Sequence, residues 1–136
     1  MWLICGQVFA ASCWQLAGAR YDIDPRLLWA IAKVESGFNP QAVNFNRDGT
    51  RDIGLMQVNS SHLAALQPYG YSESQLLDNG CASVMAGSWV LAGMIQRYGY
   101  NWRAVGAYNA GTGAGRDALR DRYARKVWRV YQTALR

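Results

Sequence analysis

The sequence predicts an α+β fold that is mostly α-helical and carries one small β-hairpin. Apolar residues recur at helical spacing over most of the chain, one Asp-Gly pair stands between two short extended stretches, and glycines interrupt the pattern where helices should end. No repeats, linkers or low-complexity tracts divide the 136 residues. We therefore expect one domain, which at this length is able to bury a core.

Two helices are predicted at the start of this domain. The first is short and runs from Cys13 to Arg20. Asp24 is a favourable N-cap and Pro25 a favourable first helical residue, so a second helix should begin there. It should end near Ser36, because Gly37 is a natural helix stop.

The sequence then becomes more polar, in the segment QAVNFNRDGTRDI from Gln41 to Ile53. Asp48-Gly49 is a strong two-residue turn signal, and short extended arms flank it, so this segment predicts the hairpin. Helices resume after it, with glycines at the breaks that follow. They are predicted from Ser60 or Ser61 to Leu66, Ser72 to Leu77, Ala82 to Tyr98, Trp102 to Tyr108, and Asp117 to Leu135.

The composition is that of a globular protein, with 51% apolar and 17% charged residues and a net charge of +5. The sequence contains six tryptophans and eight tyrosines but only three phenylalanines. Tryptophan and tyrosine combine an apolar ring with a polar group, which suits contact with partly polar ligands such as sugars. The basic residues concentrate in the last helix, which would favour an anionic polymer if it is not simply solvated. No nucleic-acid fold signature is present, and we expect no nucleic-acid partner.

The N-terminal stretch MWLICGQVFAASCW is typical of the second half of an export signal, although the charged leader segment is missing. We expect residues 1–11 to be a signal peptide, truncated at its start, and residues 12–136 to be the mature domain. The apolar run is too short to span a bilayer, and no other stretch qualifies.

The cysteines fit export. Cys5 would be lost with the signal, which leaves Cys13 and Cys81 as an even pair that is able to form a disulfide outside the cytoplasm. Closing so long a loop should stabilise the fold by roughly 4 kcal/mol. Lipidation of Cys13 is the alternative, but AASC is a poor match to a lipid-attachment box.

Glu35 stands at the end of the second predicted helix, in AKVESGFNP, after a run rich in leucine, tryptophan, isoleucine and valine. A carboxylate that points into apolar surroundings is costly, and its pKa rises so that it keeps its proton. Glu35 is therefore either a paired structural charge or a general acid.

Three segments in order, ES at Glu35-Ser36, DIGLMQVNS from Asp52 to Ser60, and AYNAG from Ala107 to Gly111, resemble the motifs of the lysozyme-like lytic transglycosylases. This SLT family cleaves bacterial peptidoglycan. The resemblance covers about Cys13 to Val130. It is closest to small periplasmic members that accompany type III secretion systems and type IV pili.

The resemblance implies a lysozyme-like fold and cleavage of the β-1,4 bond between MurNAc and GlcNAc, with Glu35 as general acid and then base. The sugar's own 6-hydroxyl would attack C1 and leave a 1,6-anhydromuramoyl end. Asp52 departs from the usual family pattern, which has one acid alone. Asp52 either stabilises positive charge at C1, serves a lysozyme-type hydrolase, or is a strand-end residue bonded to local amides.

The resemblance also implies a substrate-binding set. Gly54 would let the backbone approach the sugar, and Gln57 and Asn59 would offer amides to hydroxyls and N-acetyl groups. The full implied set is Ser36, Gly54, Met56, Gln57, Asn59, Tyr108 and Asn109, with Tyr108 bonded to the Glu35 carboxyl, Ser36 orienting the sugar, and Met56 lining the cleft.

His62 is the only histidine, and no nucleophile accompanies it, so we expect no catalytic role. No metal-ligand spacing and no phosphate-binding loop are present, and neither a metal nor a cofactor is implied. The implied location is the periplasm, the implied partners are peptidoglycan glycan strands and a secretion or pilus system, and a monomer is expected. A glycan-binding subunit without turnover is the remaining alternative.

Overall fold

A computed structural model describes residues 12–136 of the chain; the predicted signal peptide, residues 1–11, lies outside the described residues. Seven α-helices and three strands form this part of the chain. The helices are α1 (Cys13–Tyr21), α2 (Pro25–Ser36), α3 (Leu63–Leu66), α4 (Glu73–Asp78), α5 (Gly80–Tyr98), α6 (Trp102–Ala110) and α7 (Asp117–Ala134). Short 3₁₀ turns, Ser60–His62 and Gln67–Tyr69, flank α3.

The helices begin where polar side chains satisfy the first backbone amides. Ser12 and Gln15 form a reciprocal capping box before α1, and Asp24 accepts a hydrogen bond from the Arg26 amide at the start of α2. Asn79 and Asn101 cap α5 and α6 in the same way. The predicted helices are therefore confirmed, with ends that differ by at most three residues. The largest difference is at the start of α3, which begins at Leu63 because the 3₁₀ turn Ser60–His62 precedes it.

The sheet has three antiparallel strands rather than the two of the predicted hairpin: β1 (Val43–Phe45), β2 (Arg51–Ile53) and β3 (Val58–Asn59). Asn44, Asp52 and Asn59 stand opposite one another across the sheet. The sequence missed β3 because two residues are too few to show an alternating pattern. The register puts three polar side chains on one face.

The core is built from the apolar faces of the helices, with Leu28, Ile31, Leu91 and Val127 completely buried. α7 packs against α2 and α6, and α5 packs against α1 and α6. The α6–α7 contact is close, since a Cβ on Gly106 would lie 2.3 Å from a backbone oxygen of α7.

The predicted disulfide is confirmed: the sulfur atoms of Cys13 and Cys81 are 2.05 Å apart and join the starts of α1 and α5. Among residues 12–136 no helix combines the length and the apolar character that a membrane span requires.

Candidate functional site

A cleft of about 340 Å³ lies between the sheet and the helices α5 and α6. Glu35 enters it from the end of α2, Asp52 from β2, and Tyr108 and Asn109 from the end of α6. The three segments singled out in the sequence thus converge on one cavity, although 15 residues lie between the first and the second and 46 between the second and the third.

Glu35 is the most strongly perturbed carboxyl of the cleft. The pKa of Glu35 is raised to about 7, with burial as the largest cause and the nearby charge of Asp52 adding to the rise. Hydrogen bonds from Tyr123 and Asn109 and the charge of Lys126 lower the pKa. Desolvation is the largest of these causes because it disfavours the charged form. Glu35 consequently holds its proton near neutral pH, as a general acid must.

Tyr123 is a site residue that the sequence did not reveal. It is 6% exposed, and its hydroxyl donates a hydrogen bond of 2.9 Å to Glu35 Oε2 from the middle of α7. The expectation that Tyr108 bonds the carboxyl is wrong, because the Tyr108 hydroxyl donates to the backbone oxygen of Met56 at 2.6 Å. Periodicity marks Tyr123 only as a core residue of an amphipathic helix.

Asp52 lines the same cleft and is held by two amides. Its Oδ1 accepts a hydrogen bond of 3.0 Å from Asn59, and its Oδ2 accepts one of 3.3 Å from Asn46. The carboxylate is therefore fixed on the face of the sheet that lines the cleft together with Glu35. This position supports a role in stabilising positive charge at C1, and the two hydrogen bonds support a local structural role.

Gln57 borders the cleft, but its amide is engaged within the protein. The side chain donates to the backbone oxygens of Ala42 and Gly54, and its Oε1 accepts from Asn44. These bonds hold Gln57 in a left-handed backbone conformation, with φ of 52°, which a non-glycine residue rarely adopts. Asn59 is similar, since its amide serves Asp52 and Thr50.

Three further expectations need correction. The Met56 side chain is completely buried and does not line the cleft; it fills the space above Gly87 of α5, where a Cβ would lie 2.7 Å from it. Gly54, at φ 76°, is required by a close approach to the Leu76 carbonyl, and it is not among the residues that line the cleft. Ser36 donates to the Leu55 carbonyl at 2.7 Å and so joins α2 to the loop after β2, and it is not among the residues that line the cleft.

The loop after α6 is positioned by a buried arginine. Arg120 is 4% exposed, donates to the backbone oxygens of Gly111 and Gly113, and bonds Asp117. Asn109, which is exposed at the cleft edge, precedes this loop directly. No pattern in the sequence indicates that one arginine of the basic last helix is buried.

Comparison with known proteins identifies the family of this chain. A family model described as "Transglycosylase SLT domain" matches residues 12–131. The chain is 47% identical over 132 residues to "Invasion protein IagB" of Salmonella typhimurium, which is 97% of this chain and 82% of that protein. It is 46% identical over 121 residues to "Protein IpgF" of Shigella flexneri, or 89% of this chain and 80% of that protein.

A solved structure, an inactive mutant of the lytic transglycosylase Slt from Pseudomonas aeruginosa, superposes with a TM-score of 0.70 at 19% identity. The match covers 90% of this chain but only 24% of that protein's length. At this identity the likeness concerns the fold, and it confirms the predicted fold class.

Proposed function

This chain belongs to the transglycosylase SLT domain family of peptidoglycan lytic transglycosylases. From that premise we propose that Glu35 acts as general acid and then base in cleaving the β-1,4 bond between MurNAc and GlcNAc. The observation that carries the proposal is the position of Glu35, which faces the cleft with its pKa raised to about 7 by burial.

In the first step the protonated Glu35 gives its proton to the glycosidic oxygen while the bond from that oxygen to C1 breaks. The Tyr123 hydroxyl occupies Oε2, so Oε1 is the oxygen that we assign to the proton transfer. Positive charge develops at C1, and the Asp52 carboxylate on the facing sheet is placed to stabilise it.

In the second step the 6-hydroxyl of the same muramoyl sugar forms a bond to C1, and its proton passes to the Glu35 carboxylate. No water is consumed and the acid is regenerated. A carboxyl whose pKa lies near the working pH serves both directions of proton transfer, and this is the value that burial gives Glu35.

The second candidate is hydrolysis of the same bond, as in a lysozyme-type muramidase. The observation that favours it is Asp52, a second carboxylate in the same cleft as Glu35. Its hydrogen bonds to Asn46 and Asn59 equally suit a residue that organises the sheet, and we therefore place it second.

The experiment is the mass of the products released from purified peptidoglycan. Transglycosylation gives 1,6-anhydromuramoyl ends, which weigh one water less than the reducing ends left by hydrolysis. We expect anhydro products, and Glu35→Gln should lower the rate by about 10²–10⁴-fold while glycan binding remains. Reducing ends from the wild-type enzyme would support hydrolysis, and undiminished cleavage by the variant would contradict the assignment of Glu35.

We further propose that the enzyme acts in the periplasm and opens the wall locally for an envelope-spanning secretion or pilus system. The Cys13–Cys81 disulfide supports an oxidising compartment, and relatives that carry the name "Invasion protein" support a link to such a system. Deleting the gene should impair assembly of the apparatus, and only an active copy, not one carrying Glu35→Gln, should restore it.

A further inference from the structure

The loop between α6 and α7 forms one wall of the catalytic cleft. This glycine loop, residues 111–115, reads GTGAG, and its Gly111 and Thr112 line the cleft. Thr112 and Ala114 are exposed, so neither side chain packs into the core. Three glycines in five residues also leave the backbone free to adopt many conformations. The position of this wall therefore depends on bonds that other residues make to it.

Arg120, near the start of α7, makes such bonds to the glycine loop. Its Nη1 donates to the backbone oxygens of Gly111 at 2.6 Å and Gly113 at 3.2 Å. Its Nε and Nη2 both donate to Asp117 Oδ1, at 3.2 and 3.0 Å, and these bonds fix the plane of the guanidinium. The guanidinium carbon also lies 5.9 Å from the centroid of the Tyr98 ring of α5. One planar group with five donors thus joins the loop to two helices.

Further contacts fix the end of α6 and the start of α7 against each other. A Cβ on Gly106 would lie 2.3 Å from the backbone oxygen of Arg120, so the two helices touch at this residue. A second arginine, Arg116, donates from Nε to the backbone oxygen of Ala110, the last residue of α6. Cations suit this place because the last carbonyls of a helix lack partners within it and carry partial negative charge. The end of α6, the glycine loop and the start of α7 therefore form one bonded unit.

We propose that Arg120 is a positioning residue for the cleavage reaction: it holds the glycine loop so that Thr112 bonds the sugar in the cleft. The inference rests on the proposed function, since it takes the ligand of the cleft to be a glycan. The Thr112 hydroxyl both donates and accepts hydrogen bonds, as sugar hydroxyls and N-acetyl groups require. Arg120 is 4% exposed and is not among the residues that line the cleft, so it acts through the loop and not on the sugar. A displacement of the loop by about 1 Å takes the Thr112 hydroxyl out of hydrogen-bonding range.

The split between KM and kcat on soluble glycan strands tests this role. Arg120→Met removes the donors but keeps most of the side-chain length, and it should raise KM about three- to tenfold, as expected for the loss of about one hydrogen bond to the sugar. The value of kcat should change little, because Glu35 and Tyr123 lie on α2 and α7, outside the loop. Arg120→Lys keeps the charge and part of the donor set, and it should recover part of the loss in KM.

Arg103→Met is the matched control. Arg103 also donates to Asp117 Oδ1, at 3.3 Å, and among residues 12–136 it has no hydrogen bond to the glycine loop. Its replacement removes one cation from the same group of charges, so its KM should equal that of the wild type. An equal rise in KM for Arg103→Met and Arg120→Met would overturn the inference, because the charge and not the loop would then be responsible.

A double-mutant cycle shows whether Arg120 acts through Thr112. In a Thr112→Ala background the hydroxyl is already absent, so Arg120→Met should raise KM by a smaller factor than it does in the wild type. The same factor in both backgrounds would overturn the inference. The affinity of these variants for glycan strands, measured in the Glu35→Gln background, should follow the order of their KM values.

A role of Arg120 in stability alone gives a different result. Partial unfolding removes active molecules and lowers the apparent kcat, whereas the KM of the remaining folded enzyme is unchanged. A fall in kcat with an unchanged KM would therefore overturn the inference. Thermal unfolding verifies that each variant is folded, and Arg120→Lys takes the place of Arg120→Met in the cycle if the latter is not. The product masses of the wild-type enzyme test the proposed function separately, so either idea is able to fail alone.

Discussion

At the scale of single residues, the chemistry of this site depends on what surrounds one carboxyl group. The run of apolar residues in α2 accounts for the burial of Glu35, but the balance also includes the Tyr123 hydroxyl and the charge of Asp52. Burial and Asp52 favour the protonated form, and Tyr123 favours the ionised form. Both forms are needed in the proposed reaction.

The raised pKa of Glu35 predicts how stability changes with pH. The folded protein binds this proton up to about pH 7, whereas the unfolded chain releases it near 4.5. The stabilising contribution of this proton is therefore complete below pH 4.5 and is lost as pH rises through about 7. Over this range the free energy of unfolding should fall by about 3 kcal/mol. Glu35→Gln should remove this loss, so that denaturant unfolding shows the variant more stable than wild type at pH 8 but not at pH 4.

The same balance predicts opposite effects of two substitutions on the pH–rate profile. Tyr123→Phe removes a hydrogen bond that stabilises the ionised form, so the pKa of Glu35 rises and the alkaline limb of kcat/KM moves to higher pH. Asp52→Asn removes a neighbouring negative charge, so the pKa falls and the limb moves to lower pH.

The position of the limb, not the height of the profile, is the measurement that matters for these variants. Limbs that shift in the same direction, or that stay fixed in both, would contradict the assignment of Tyr123 and Asp52 as opposing influences on Glu35. A purely structural role of either residue would lower the whole profile without moving its limb.

At the scale of elements, two helical glycines have opposite reasons to be there. In α6, a Cβ on Gly106 would lie 2.3 Å from the Arg120 carbonyl of α7, whereas in α5 a Cβ on Gly93 meets nothing within 4 Å. Gly106→Ala should therefore destabilise the protein by about 1–3 kcal/mol through overpacking. Gly93→Ala should stabilise it by about 0.5–1 kcal/mol, because alanine favours the helix.

Denaturant unfolding of the two variants side by side checks this prediction, with each serving as the control for the other. Destabilisation by both would mean that the space around Gly93 is occupied in the folded protein. Tolerance of both would mean that α6 and α7 separate easily, which the burial of Arg120 between them does not favour.

The three-stranded sheet shows how small elements position a site. Asn44, Asp52 and Asn59 stand in register. Asn59 donates a hydrogen bond to Asp52, and Asn44 donates one to Gln57. The strands contain only two or three residues each, so side-chain bonds hold the cleft face of the sheet as much as the backbone ladder does.

At the scale of the whole molecule, the disulfide between Cys13 and Cys81 closes a loop with a sequence separation of 68 residues. That loop contains α2, the whole sheet and Glu35. Replacing both cysteines by serine should lower the free energy of unfolding by about 4 kcal/mol. The measurement is denaturant unfolding of the double variant against oxidised wild type.

Reduced wild-type protein is the matched control, and it should lose about as much stability as the double variant. Because neither cysteine lines the cleft, the folded variant should keep its activity under stabilising conditions. Unchanged stability in both would show that the unfolded chain gains little freedom from opening the loop.

The sequence by itself determined the helices, the Asp-Gly turn, the cysteine pair and the buried carboxyl of Glu35, because local signals carry all of these: caps, apolar periodicity, and a carboxyl after an apolar run. Only the tertiary structure decided which tyrosine bonds Glu35 and which contacts within the fold Met56, Gly54 and Ser36 make. Those features depend on contacts between residues that are distant in the chain. The packing of whole helices determines which side chains meet, and such contacts leave no local pattern in the sequence.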